Sequence, residues 1–306
     1  MVKVSGLRHE ALLYADGAEY LGSVGSFIRD GLDADLPVFV AVPAKRGEQL
    51  KNELDGDAHR VKFADMTQLG RNPSTIIPAV RAFMHEYGQP FRFVGEPIWR
   101  GRTADEIAEA TRHESLINLA FAETTAHILC PYNIQGLHAA TVADAHRTHP
   151  DLVTGNGQVT SQQYKDPAVV CHAGAWPLPA VPAHVEIIES TITRLADIRR
   201  LVREHARAVG LSDTRIDDFV LAVDELCTNT MKYSPSIGTL RMWQERDELV
   251  CEVRDAGRIL DLLVGRRQVP PGAMHGRGLF LVNHLCDLVQ LRSSELGTTI
   301  RLRIRL

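Results

Sequence analysis

Short apolar runs alternate with amphipathic stretches through the first half of the chain. The runs at 10–16 (EALLYAD), 37–43 (PVFVAVP), 60–65 (RVKFAD), 91–97 (FRFVGEP) and 126–132 (AHILCPY) are rich in consecutive apolar residues, which predicts buried strands. Between them, EYLGSVGSFIRDGL, KRGEQLKNEL, PSTIIPAVRAFMHEYG and DEIAEATRHESLINLAF carry helical periodicity. Strand–helix alternation predicts a mostly parallel sheet with helices on both faces. In such sheets, ligands usually bind beyond the carboxyl ends of the strands.

The pattern changes after AWPLPAVPAHVE at 175–186, where Pro177, Pro179 and Pro182 exclude a helix interior or a central strand and predict a stiff, extended connector. Two helices are expected next, at 192–209 and 213–233. Two strands follow, GTLRMWQER and ELVCEVRDAG, with a turn near Asp247. A stretch poor in apolar periodicity, 257–275, precedes a short helix, GRGLFLVNHLCD. The chain closes on two strands joined across Leu296 and Gly297. In the last strand Ile300, Leu302, Ile304 and Leu306 alternate with Arg301, Arg303 and Arg305, so one face is expected to be buried and the other wet. Helices followed by antiparallel strands predict an α/β sandwich. The division read from the sequence is a first domain at 1–174, a proline-rich linker at 175–183 and a second domain at 184–306.

Within the 213–233 helix, steps of about 100° per residue gather Ile216, Phe219, Val220, Val223, Leu226, Cys227, Thr230 and Met231 on one stripe. The opposite face carries Asp218, Leu221, Ala222, Glu225, Asn229 and Lys232. A solvated face favours Glu and Lys, and Asn is a poor helix former; Glu225 and Asn229 one turn apart read either as a solvated face or as half of a ligand site, and only the motifs that follow favour the second. Three glycine-bearing stretches follow. VRDAGR places Asp255 at a strand end with Gly257 two residues on; HGRGLFLV opens a helix with Gly276 and Gly278; LGTTIRL puts Gly297, Thr298 and Thr299 in a hairpin. A carboxylate at a strand end can accept from an amine. Amides at a helix N-terminus favour anions such as phosphate.

The 306 residues suffice for two domains, each with its own core. Net charge is −4, from −5 over residues 1–182 and +1 over 183–306, which gives no footprint for direct nucleic-acid or membrane binding. The five cysteines form no C-x-x-C pair and suit a reducing cytoplasm. There is no signal-peptide pattern and no long apolar run, so a cytoplasmic protein is expected. TGNGQ lacks the lysine of a phosphate loop.

The order of these motifs carries a resemblance. DELCTNTMKYS, DAG, GRGLFLV and GTT resemble the N, G1, G2 and G3 boxes of the GHKL ATP-binding (Bergerat) fold, in its anti-sigma factor and serine-protein-kinase branch. The resemblance implies an α/β sandwich with an antiparallel sheet over 184–306, and ATP with Mg²⁺ as cofactors. Asn229 is then the Mg²⁺ ligand and Glu225 the general base toward a serine hydroxyl of a protein substrate. Asp255 binds the adenine amino group, and Gly257 lets the backbone close on the base. Gly276, Arg277 and Gly278 cap the phosphates, with Lys232, Leu279, Thr298 and Thr299 completing the nucleotide site. Residues 258–275, with Pro270, Pro271 and Gly272, form the lid. The sequence departs at Ile259, which stands where that family has a second glycine; a β-branched residue disfavours positive φ, so the lid hinge must differ.

The first half resembles the MEDS sensory domain over roughly 7–150, through HEALLYADGAEYLGSVGSFIRDGLDADLPVFVAVP, FVGEPIW, ATRHESLINLAF and ILCPYN. This implies a RecA-like α/β sheet that senses a small molecule. Glu96, Trp99, His113, Glu114, Asn118, Cys130 and Tyr132 are the residues expected to line its pocket at the sheet's carboxyl edge. His138, His146 and His149 match no strong metal-ligand spacing. Together the resemblances imply a signal-responsive regulator. It would phosphorylate a serine or threonine of a STAS-like antagonist with Mg-ATP and bind a sigma factor when the antagonist is absent; homodimers are common in that branch. The alternative is a non-catalytic module whose nucleotide sets the shape of a partner surface. A histidine kinase with His113 and Glu114 as the phosphoacceptor pair lacks the expected dimerisation hairpin.

Overall fold

A computed structural model of the chain describes residues 6–155, 157–190, 194–268 and 276–306. They divide into two compact units between Cys171 and His172. No helix among the described residues is long and apolar enough to cross a membrane.

The first unit contains β1 (Arg8–Tyr14), β2 (Val38–Val42), β3 (Val61–Asp65), β4 (Arg92–Gly95), β5 (His127–Asn133), β6 (Asp151–Thr154) and β7 (Gly157–Thr160). Its helices are α1 (Gly17–Asp33), α2 (Ala44–Leu54), α3 (Met66–Leu69), α4 (Ile76–Tyr87), α5 (Ala104–Ala120), α6 (Ala139–Thr148) and α7 (Pro167–Val170). The seven strands form one sheet in the order β3-β2-β4-β5-β1-β6-β7. All neighbours are parallel except the β6–β7 hairpin, which was not anticipated because its β7 is exposed along its length and carries no apolar period. Local chemistry sets the helix starts. Asp16 accepts from the backbone of Ala18 and Glu19 at the head of α1, and Thr103 and Glu106 form a reciprocal capping box on α5. β2 is buried throughout, as its unbroken apolar run requires.

The second unit contains β8 (Ile188–Ser190), α8 (Leu195–Ala208), α9 (Asp213–Tyr233), β9 (Gly238–Glu245), β10 (Glu248–Asp255), α10 (Gly278–Leu285), β11 (Leu288–Ser294) and β12 (Gly297–Arg305). Its antiparallel sheet runs β11-β12-β10-β9-β8. One face packs on the helices: Phe219, Val223 and Leu226 of α9 and Val202 of α8 meet Leu240, Cys251, Ile300, Leu302 and Ile304. The alternation along β12 holds as far as Ile304, while Leu306, past the strand's end, is exposed; on the second face Arg305 is exposed, but the two arginines before it are not. Arg301 is 1% exposed and Arg303 4%. Arg301 donates to Glu252 on the neighbouring strand through Nη2 at 2.7 Å and Nε at 3.2 Å, and to the Pro179 carbonyl at 2.9 Å. Arg303 reaches Glu248 at 2.9 Å and Glu245 at 3.2 Å. Cross-strand carboxylates and the proline-rich segment cover what periodicity alone assigned to solvent. Arg292 adds a hydrogen bond to the Trp176 carbonyl.

The polar face of α9 is also partly enclosed. Ala222 is fully buried, because α10 packs along this face. Arg215 fixes the carboxyl end of α10 by donating to the Leu285 carbonyl at 3.1 Å and to Asp287 at 2.6 Å.

Candidate functional site

The amino end of α10 lies against Glu225 and Asn229. A Cβ placed on Gly278 would come within 2.6 Å of Glu225 Oε2 and 3.0 Å of Asn229 Nδ2, so any side chain here would push both groups out of these positions. The first N–H groups of α10 have no partner within the helix, and their partial positive charge opens beside the carboxylate and amide of α9.

A cavity of about 380 Å³ adjoins this contact, between α9, the ends of β10 and β12, and the segment after β10. Leu226, Val253, Leu279 and Ile300 supply apolar walls, and Asp255 supplies a carboxylate. Thr230 Oγ1 donates to Asp255 Oδ2 at 2.7 Å, and the Gly257 amide donates to Oδ1 at 2.6 Å. The carboxylate is thus held in one orientation with acceptor capacity left over. Gly257 does not have positive φ; it is needed for space, since a Cβ there would meet Asp255 Oδ1 at 2.8 Å and the Tyr233 carbonyl at 3.4 Å.

A relay fixes the wall beyond it. The Ile259 amide donates to Ser293 Oγ at 2.8 Å, Ser293 Oγ lies 2.8 Å from Thr298 Oγ1, and Thr298 Oγ1 donates to the Gly257 carbonyl at 2.8 Å. Ile259 therefore keeps a negative φ and is anchored from the sheet, which is how the chain turns here without the second glycine. Gly297 opens β12 at φ +112°, where an added Cβ would collide with the Asp255 carbonyl. Further along, Gly265 has φ +69° and its carbonyl accepts from Asn283 Nδ2 at 2.9 Å, docking this segment on α10. Of the expected lid, Pro270, Pro271 and Gly272 lie outside the described residues.

The structure brings Asn229, Asp255, Gly257, Gly276, Gly278, Leu279 and Thr298 around the cavity. Glu225 stands behind Gly278 rather than on the cavity wall. Lys232 is exposed, and neither it nor Arg277 is a lining residue. Thr299 points to the opposite face of the sheet, where it lines a groove with Pro177 and Arg301, because adjacent residues of a strand alternate. Sequence reasoning missed Thr230 and Ser293. Thr230 lies on the apolar stripe of α9 and was counted as core; only its hydroxyl, opposite the end of β10, gives it a polar task.

In the first unit the expected sensory residues separate. Glu96, just past β4, is 5% exposed and accepts from Tyr14 Oη at 3.3 Å and Tyr20 Oη at 3.4 Å. Burial pushes its carboxyl up to about 7, against the opposing pull of Arg46 and the two tyrosines. The Arg46 guanidinium lies over Tyr20, 4.3 Å from the ring centre. Trp99, half-buried, stacks under Arg102 at 4.0 Å. Glu114, Asn118, Cys130 and Tyr132 instead gather under α5 against the sheet face, with His9 from the start of β1 and His149 from the turn into β6. Among the described residues the hydrogen bonds of Glu96 go to Tyr14 and Tyr20 and not to this group. Burial, and then the neighbouring His149, lower the pKa of His9; burial, and then Glu114, raise that of the Cys130 thiol. His113 is buried on α5, which removes it as an accessible phosphoacceptor. His138 is exposed at the head of α6 and does not join His149.

Comparison with known proteins assigns both units. The family described as MEthanogen/methylotroph, DcmR Sensory domain (MEDS) matches residues 8–150, and the histidine kinase-like ATPase domain matches 188–304. No curated protein matches the chain. Among solved structures, one similar chain holds the RsbU and RsbW domains of a Mycobacterium tuberculosis protein. It is 20% identical, with a TM-score of 0.31, over 41% of this chain and 33% of that one. The match spans a third of that structure's length, and a likeness so slight aligns no site.

Proposed function

The chain joins a MEDS sensory domain to a histidine kinase-like ATPase domain, and from this premise we propose that it is a signal-responsive protein kinase of the anti-sigma type. The observation that carries the reading is the joint between α9 and α10, where Gly278 sets a helix N-terminus against Glu225 and Asn229 beside an apolar slot with Asp255 in it. That donor set fits an adenine nucleotide. A flat apolar base carrying an amino group suits the slot and its carboxylate, and phosphates suit the helix terminus. Bound Mg-ATP supplies the phosphoryl group and a cation that neutralises its charge.

The chain's own residues then divide the work. Asp255, oriented by Thr230 and Gly257, accepts from the base. Asn229 offers its amide oxygen to the cation, a hard ion that prefers oxygen. The N–H groups at the start of α10 bind phosphate oxygens. Glu225 accepts the proton of a serine or threonine hydroxyl on a STAS-like antagonist. The same unit binds a sigma factor when the antagonist is absent, and the MEDS domain biases the exchange in response to a small molecule.

The test is incubation of the full chain with ATP labelled on its terminal phosphate and a STAS-type antagonist. Asn229→Ala is expected to abolish nucleotide binding. Glu225→Ala should keep binding and slow transfer by about 10²–10⁴-fold. Labelling by both variants at the wild-type rate overturns these roles. One observation favours a second reading, a non-catalytic nucleotide-gated module: the segment at Ile259 is tied to the sheet where the family has a glycine. Tight binding of Mg-ATP with no label on any antagonist supports that reading.

A further inference from the structure

The cluster under α5 in the first unit has a polarity that its hydrogen bonds leave unresolved. Asn118 Nδ2 donates to the Thr148 carbonyl at 2.8 Å and the Ser115 carbonyl at 3.2 Å. Its Oδ1 is therefore the acceptor that meets His9 Nδ1 at 3.0 Å, so His9 carries its proton on Nδ1. His149 is fixed in the same way, because its Nδ1 lies 2.9 Å from the Ala145 carbonyl, which can only accept. With Nδ1 carrying the proton, the neutral form of each ring presents a lone pair on Nε2. Both Nε2 atoms lie 3.3 Å from one oxygen, Glu114 Oε2, and Cys130 Sγ lies 3.5 Å from His9 Nε2. Four electron-pair donors thus converge, all within 4.8 Å of one another. None of the four residues is more than 1% exposed. Glu114 Oε1 and His149 Nε2 have no hydrogen-bond partner. Lone pairs facing one another out of reach of water need a shared positive charge. Two imidazolium rings are a poor source, since the ring centroids are 4.1 Å apart.

We propose that His9, Glu114, Cys130 and His149 bind one divalent transition-metal ion of the zinc type. The spacing suits it. Tetrahedral zinc, with bonds of about 2.0–2.1 Å to nitrogen or oxygen and about 2.3 Å to sulfur, holds its ligands roughly 3.3–3.7 Å apart. Three of the six separations here are 3.3, 3.3 and 3.5 Å, and all six are within 4.8 Å, so the widest pairs would close by up to about 1 Å around the ion. A thiolate with two imidazoles selects a borderline-soft ion over magnesium or calcium. The outer hydrogen bonds agree: each ring gives its other N–H to a fixed oxygen, on Asn118 or Ala145, as metal-bound histidines do. Charge agrees too, since a dication with one thiolate and one carboxylate is neutral overall, which a dry site requires. The ligands come from β1, α5, β5 and the turn into β6, so the ion ties together segments far apart in the chain and couples its binding to the folding of this unit. No short spacing links positions 9, 114, 130 and 149, so sequence reading put Glu114 and Cys130 in a sensory pocket and His149 with His138 and His146, and did not join the four as one set.

The test uses the full-length chain, stripped with a chelator and titrated with Co²⁺ as a spectroscopic probe. The expected result is one Co²⁺ per chain, with the strong visible bands of tetrahedral cobalt and a thiolate charge-transfer band, both bleached by Zn²⁺. Cys130→Ser should lose the charge-transfer band. Asn118→Ala, which touches no metal, should weaken binding about 10–100-fold while keeping the band. Circular dichroism on each protein shows whether it is folded. The proposal is overturned if the folded wild-type chain takes up no Co²⁺, if its spectrum lacks the sulfur band, or if Cys130→Ser retains it.

Discussion

Gly278→Ala separates the fold from the site. Its added methyl would sit 2.6 Å from Glu225 Oε2 and 3.0 Å from Asn229 Nδ2. An ordinary contact is about 3.5 Å, so the carboxylate must retreat by about 0.9 Å and the amide by about 0.5 Å. Glu225 can swing away on its flexible stem at little cost to folding. Alanine also favours a helix over glycine by up to about 1 kcal/mol, less at a first position than in the interior. The two effects offset, and stability should change by less than about 1 kcal/mol, a shift of at most about 4–8 °C in a small domain. Function should not be spared. A displacement of about 1 Å in a positioned group costs on the order of 100-fold in rate. A shifted magnesium ligand should also weaken Mg-ATP binding by about tenfold, or about 1.4 kcal/mol. Thermal melts without nucleotide, calorimetric titration with Mg-ATP and a transfer assay read the three quantities. Wild-type affinity and transfer in a folded Gly278→Ala protein would refute the role given to this contact, and so would global unfolding of the variant.

Other consequences concern burial. Arg301 and Glu252 have side chains only 2% and 6% exposed, so Glu252→Ala strands a buried guanidinium and should cost about 3–5 kcal/mol in urea denaturation. The double variant Glu252→Met with Arg301→Met should recover most of that loss; additive losses would contradict the pairing. Glu96 has its folded-state pKa raised from 4.5 to about 7, so the folded chain binds more protons than the unfolded chain between those values. Its contribution to stability is full below pH 4.5, falls as pH rises, and by pH 8 has dropped by about 3 kcal/mol at about 1.4 kcal/mol per pH unit. Glu96→Gln should flatten this part of the stability profile, and an unchanged slope would show that Glu96 ionises freely. Thr230→Val should leave the core packed and weaken nucleotide binding, because Asp255 loses the donor at 2.7 Å that orients it; unchanged affinity in calorimetry would remove Thr230 from the site.

Five of the seven strands of the first unit, β1 to β5, were legible because short apolar runs such as 37–43, too short for a typical helix, fit a buried strand; the exposed β7 and its partner β6 carry no such run. The stripe of α9 was legible in its own pattern: Phe219, Val223 and Leu226 repeat at helical spacing. What periodicity could not show is what covers a face from outside its own element. The arginines of β12 alternate as a wet face would, yet Glu252 and the Pro179 carbonyl enclose Arg301. Ala222 reads as exposed until α10 is placed on it. Long-range gatherings were equally hidden. His9 and His149 lie at opposite ends of the first unit's sequence, and only the adjacency of β1 to β5 and β6 brings them to Cys130. The nucleotide-site motifs were readable in order, but strand alternation sends Thr299 to the face away from Thr298.

The central claim is that α9, α10 and the ends of β10 and β12 form one pocket for a magnesium-bound adenine nucleotide. Isothermal titration of the full chain with Mg-ATP, beside the Asp255→Asn variant, tests it most directly. The account predicts one site per chain in the wild type, and loss of most of the affinity when the carboxylate facing the base becomes an amide. Absence of binding heat in the folded wild-type chain, or equal affinity in the variant, would contradict it.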